Sequence, residues 1–147
     1  MNYCLTEPRV YVHATHKVTG MIYSSITFQS LSLPCFNELY DLFYLGGRKR
    51  VPSDIGSLLT PLGLAYWICD DGSFDKKGGF VVLCTESFTT VEVEVLINVL
   101  NSKWDLKCYK VNNGNGYRII IPSYSIPRLQ ALLAPHMPPM MKYKIGL

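Results

Sequence analysis

Between Thr60 and Gly72 the chain reads TPLGLAYWICDDG, and no other segment limits the possible folds so tightly. Thr60 can accept a hydrogen bond from a free first-turn amide, and Pro61 has no amide to leave unsatisfied, so a helix starts here. From Leu58 to Cys69 the residues are apolar almost all round, with Tyr66 and Trp67 beside the small Gly63, Ala65 and Cys69. Such a helix must be covered on more than one side, and the small residues let a second helix come close, so Gly63 and Ala65 are expected to face outward. The helix then closes on Asp70 and Asp71, at the negative end of its dipole. Each carboxylate is unfavourable there by a few tenths of a kcal/mol to about 1 kcal/mol unless a cation compensates. A polar Asp-Asp-Gly turn with Gly72 as a left-handed cap is one account of these residues. A calcium loop is excluded: Asp71, Ser73 and Asp75 alternate correctly, but Lys76 stands where such a loop needs glycine and Val82 where it needs glutamate.

The remaining elements follow from periodicity and turn chemistry. Alternation over Arg9 to His13 and Met21 to Phe28 predicts a β-hairpin. Phe36, Leu39, Tyr40 and Phe43 share a helical face that starts near Pro34 and should end at Gly46-Gly47. Phe80 to Ser87 reads as a strand, with Val82, Cys84 and Glu86 on one face and Val81, Leu83 and Thr85 on the other; neither face carries Arg or Lys. Thr89 or Thr90 caps a helix expected to bury Val91, Val95, Leu96, Val99 and Leu100. A second hairpin spans Leu106 to Val111 and Tyr117 to Ile121 around Asn112-Asn113-Gly114-Asn115-Gly116. A helix from Pro127 to Leu133 and a basic, proline-rich tail finish the chain.

This order contains a repeat. Ser30-Leu31-Ser32-Leu33-Pro34 recurs as Ser123-Tyr124-Ser125-Ile126-Pro127, 93 residues later. Each copy follows a hairpin, opens a short amphipathic helix and runs into a basic cluster, Arg48-Lys49-Arg50 in the first and Lys142-Tyr143-Lys144 in the second. Shifted back by the same interval, the twin of Asp71 falls ahead of Met1. The expectation is therefore a partial first unit over residues 1–52, made of hairpin, helix and basic segment, and a complete unit over 53–147.

Composition narrows the functional classes. With 48% hydrophobic and 17% charged residues over 147 positions, the sequence has the core-forming material of a folded domain and not the profile of a disordered chain. Its apolar runs fall short of the roughly 20 residues of a membrane span, so no membrane partner is expected. The start, MNYCLTEPR, lacks a secretory signal pattern. The five cysteines form no C-x-x-C pair, which argues for free thiols in an intracellular setting and against a zinc ribbon. Fourteen Lys and Arg against 11 Asp and Glu give a net charge of +3, which permits an anionic partner. His13 and His16 sit where the first hairpin enters its turn and read as solvated turn residues.

Leu64-Ala65-Tyr66-Trp67-Ile68-Cys69-Asp70-Asp71-Gly72, within LTPLGLAYWICDDGSF and followed by TESFTTVEVEVL, GYRIIIPS and PPMMKYKI, resembles the LAGLIDADG homing endonucleases, and within them the omega-type, intron-encoded branch. The resemblance runs from about Arg9 to Ile145. It implies an α/β (α+β) fold, an αββαββα unit with an antiparallel saddle sheet, preceded here by a partial ββα unit. It implies a divalent-metal-dependent endonuclease cutting duplex DNA, or alternatively an inactive RNA-binding derivative serving a group I intron or an organellar ribonucleoprotein. The resemblance makes Asp71 and Gly72 the Mg²⁺ site, with Asp70 behind them and Asp71, Lys49 and Lys144 as the catalytic set. Arg48, Lys49, Arg50, Lys107, Lys110, Arg118, Lys142 and Lys144 are then the candidate contacts to DNA or structured RNA. It further implies a homodimer, or a partner supplying the first signature helix, and a mitochondrial, intron-encoded origin.

Overall fold

The computed structural model describes residues 4 and 6–147. The chain forms two compact units, Met1–Asp41 and Leu42–Leu147.

In the first unit, β1 (Arg9–Val12) and β2 (Ser24–Thr27) pair antiparallel, Val10 opposite Ile26 and Tyr11 opposite Ser25. Alternation therefore sets Val10 and Ile26 on one face and Tyr11 and Ser25 on the other. The intervening turn uses its own histidine as an acceptor. His16 Nδ1 takes the amides of Val18 at 3.3 Å and Thr19 at 3.2 Å, and its ring meets Tyr23 edge-on. A short 3-10 turn, Pro34–Phe36, leads into α1 (Asn37–Phe43).

The helix stops sooner than its sequence suggests. After Phe43 the chain makes a small hairpin, β3 (Tyr44–Leu45) against β4 (Arg48–Lys49). Gly46 and Gly47 form its two-residue turn, at φ +58° and +77°. Positive φ at both central positions is what such a turn requires. The expected helix end is thus a hairpin turn, and Arg48 and Lys49 lie on a strand.

The second unit continues with α2 (Ile55–Leu58), α3 (Pro61–Asp71), β5 (Gly72–Asp75), β6 (Phe80–Leu83), α4 (Thr90–Trp104), β7 (Tyr109–Asn112), β8 (Tyr117–Ile121), α5 (Ile126–Leu133) and a 3-10 helix, Pro139–Ile145. From α3 to α5 this is the αββαββα order. Its sheet is antiparallel, ordered β5-β6-β8-β7. Register pairs Val81 with Ile121 and Leu83 with Ile119, and all four side chains are fully buried against Ile68, Leu96 and Leu100 of the helices. The opposite face, with Ser73, Val82, Cys84 and Tyr109, is left largely open.

Two helices turn differently from expectation. In α4 the buried stripe is Val93, Leu96 and Leu100, while Val91 is 69% exposed. Thr89 and Glu92 form a reciprocal capping box that fixes the helix start, and Val91, about 200° around the axis from Val93, then points outward. In α3 the residues buried within the chain are Leu64, Ala65 and Ile68. Ala65 belongs to the inward stripe, so the expectation that it faces outward is corrected. The side turned to solvent carries Leu62, 47% exposed, and Tyr66, 69% exposed. Among the described residues no helix is long and apolar enough to cross a membrane.

Candidate functional site

The site is built on the C-terminal end of α3. Thr60 Oγ1 accepts the Gly63 amide at 3.1 Å and fixes where the helix begins, and eleven residues later Asp70 and Asp71 emerge exposed at its tip. The chain enters β5 directly at Gly72, whose φ of −88° and ψ of 150° are extended. Gly72 is therefore no left-handed cap. Its role is close approach: a Cβ there would stand 2.5 Å from the carbonyl oxygen of Ile68.

Asp70 and Asp71 share a hollow of about 360 Å³ with Lys49, Arg50, Trp67 and Phe88. The Lys49 ammonium lies 5.5 Å from the centre of the Phe88 ring. The segment bearing it is tied down by Glu92, whose carboxylate accepts the Val51 amide at 3.0 Å and the Thr89 amide at 2.8 Å. Burial pushes the Glu92 carboxyl up, but the Thr89 and Val51 hydrogen bonds and nearby Arg48 hold it below the ordinary range. On the same last turn of α3, Lys144 Nζ donates to the carbonyl of Cys69 at 2.6 Å. Its charge thus sits at the negative end of the helix that carries the two aspartates.

The structure brings Lys49, Asp70, Asp71, Gly72 and Lys144 to one helix end and distributes the other candidates. Arg48 is exposed on β4, and Arg50 Nε donates to the carbonyl of Leu42 at 3.2 Å. Lys107 pairs with Asp105. Lys110 pairs with Glu94 on α4 and lies 5.1 Å from the Tyr117 ring centre, so it is held toward the helices and not on the open sheet face. Arg118 is on the open face and pairs with Glu86. Lys142 is half-buried in the last 3-10 helix. Reasoning from sequence missed Glu92 as the clamp of the basic segment, although Thr89-x-x-Glu92 is a capping box that could have been read. It also missed Glu86 as the partner of Arg118, for which no local signal exists.

Against known proteins, the model of the LAGLIDADG DNA endonuclease family matches residues 1–129. The chain belongs to that family. This LAGLIDADG protein is 35% identical over 149 residues to a cytochrome b mRNA maturase bI2 of Debaryomyces hansenii, a match covering 99% of this chain and 55% of the relative. It is 30% identical over 150 residues to the intron-encoded endonuclease ai4 of Dictyostelium discoideum, covering 99% of this chain and 93% of that protein. A solved structure, the homing endonuclease I-WcaI bound to its DNA recognition sequence, superposes with a TM-score of 0.85 at 31% identity, covering 97% of this chain and 65% of that one. The LAGLIDADG chain thus spans about half the length of the maturase relative.

The residues at the α3 tip suit the metal that the family implies. The exposed Asp70 and Asp71 and the carbonyl of the buried Gly72 offer oxygen donors only. Mg²⁺ takes hard oxygen ligands, keeps several waters and is held by one or two carboxylates instead of a closed protein cage. Neither the thiol of Cys69 nor any histidine is needed in such a set.

Proposed function

We propose that this chain is an intron-encoded, site-specific endonuclease that cuts duplex DNA with a divalent metal when paired with a second LAGLIDADG unit. What carries the reading is the convergence of Asp71 and Lys49 on one hollow at the end of the signature helix, with Lys144 on the same helix turn. Asp71, with the Gly72 carbonyl, is the holder of the cation. When bound, Mg²⁺ supplies charge neutralisation at a scissile phosphate and a polarised water. Asp70 shapes the approach to it. Lys49, on β4, offers a positive group to phosphate oxygens as negative charge builds on them, and Lys144 keeps the helix end in place. The open sheet face lies along the duplex, and the exposed Leu62 and Tyr66 of α3 dock against a partner helix from a second copy or a companion chain. An intron-encoded origin agrees with the name of the Dictyostelium discoideum relative, and a mitochondrial gene is part of the same proposal.

A second reading, RNA binding in the service of intron splicing, is favoured by the maturase relative and by the low positive charge of the open face. The two separate in one assay. Purified protein is incubated with duplex spanning its intronless junction, with Mg²⁺ or with chelator, and in parallel with the intron RNA. Scission that needs the metal supports the endonuclease; retention of the RNA with intact duplex supports the maturase.

A further inference from the structure

Among the residues of the four-stranded sheet β5-β6-β8-β7, Lys110 and Arg118 are the cations, and Lys110 is drawn to Glu94 on the helix side. Arg118 alternates with the buried Ile119 and so faces the open side. Three contacts build its setting. The Glu86 carboxylate accepts Arg118 Nε and, at 2.9 Å, the side-chain amide of Asn113. Thr85, fully buried, donates its hydroxyl to the Tyr117 carbonyl at 2.6 Å, which joins the segment just after β6 to the start of β8. Gly116 lets the β7–β8 turn close on this corner, since a Cβ there would stand 2.8 Å from the Glu86 carbonyl oxygen.

This arrangement has a chemical consequence. A loose surface arginine is drawn to any phosphate, because that attraction needs charge and no particular geometry. Arg118 has its charge offset by Glu86 and its Nε occupied, which leaves the fork of its two terminal amino groups as its remaining donors. That fork matches the paired O6 and N7 acceptors that guanine displays in the major groove. We propose that Arg118 reads one guanine of the duplex site and that Glu86 is its positioning residue. The proposal rests on the DNA-binding reading above and adds to it a specificity determinant.

Selection of a synthetic duplex pool with a randomised segment, using the full chain, tests this. The wild-type protein should enrich guanine at one position. Arg118→Gln should reduce that preference by roughly ten- to a hundredfold and leave preferences elsewhere unchanged. Glu86→Ala should relax the same position while overall duplex affinity holds or rises, and Glu86→Gln, which keeps an acceptor, should recover part of the preference. Variants that lower the melting temperature but leave every base preference intact would reduce the pair to a structural ion pair and overturn the inference. Failure of the wild type to retain any duplex would instead overturn the DNA reading itself.

Discussion

The ammonium of Lys144 donates to the main-chain oxygen of Cys69 at 2.6 Å, so a residue near the end of the sequence holds the last turn of the helix that bears Asp70 and Asp71. A cation at this place satisfies a carbonyl that the helix leaves unpaired and offsets the two carboxylates beside it. Lys144→Met keeps the length of the side chain and removes the charge and the donor. It should lower stability by about 1–2 kcal/mol, measured by urea unfolding.

Gly72 and Gly63 lie on the same short segment and should respond to alanine in opposite senses. At Gly72 the added methyl meets the Ile68 main chain at 2.5 Å, and backbone cannot swing away. A loss of about 1–3 kcal/mol is expected. At Gly63 the methyl would find Leu59 and Thr60 side chains at 3.5 Å, an ordinary contact. Helix propensity then favours alanine by up to about 1 kcal/mol. Parallel melting curves of the two variants check the contrast.

Burial pushes the Cys108 thiol up to about 12 from an ordinary value of 9.0. Below the unfolded value the thiol is protonated in both states and stability does not depend on it. As pH rises from there toward the folded value, only the unfolded chain releases the proton, so stability falls, at up to about 1.4 kcal/mol per pH unit. The stability advantage of wild type over Cys108→Ala should therefore shrink as pH rises from 9.0 toward about 12. A constant difference would mean that the folded thiol ionises as readily as the free one.

Much of this was legible in the sequence, and the misses have physical causes. Thr60-Pro61 and the aspartates bounded α3 because caps and dipoles act locally. From Phe80 onward the order of strands and helices followed from periodicity, although β6 ends at Leu83 and not at Ser87; β5, only four residues long, shows no alternation to read and was reached only through the resemblance. Gly46-Gly47 was ambiguous because a glycine pair ends a helix and turns a hairpin by the same positive φ. The inward stripe of α3 was misread at Ala65, since a helix apolar nearly all round has no periodic signal to say which side its own sheet covers. The partners of Lys110, Arg118 and Lys144 are 16, 32 and 75 residues away. Such pairings exist only once the sheet is formed, so three basic residues that look alike in sequence acquire three different environments.

The exposed side of α3 is the face expected to meet a second unit. Tyr66→Asp places a charge there without touching the buried Leu64, Ala65 and Ile68, so it should leave the fold intact and shift the chain toward monomer in sedimentation at micromolar concentration. Ala65→Arg is unsuited to this purpose, because it would drive a charge into the core. Self-association unchanged by Tyr66→Asp would assign the contact to another surface.

Asp71 carries the central claim, and cleavage by Asp71→Asn measures it most directly. The substitution removes one charge and almost no volume from an exposed position, so melting and duplex binding should stay close to wild type. With Mg²⁺ and the duplex of the intronless junction, the wild-type protein paired with its second unit should cut, and the variant in the same assembly should bind without cutting. Cutting by the Asp71→Asn protein at the wild-type rate would contradict the assignment of this aspartate to the metal.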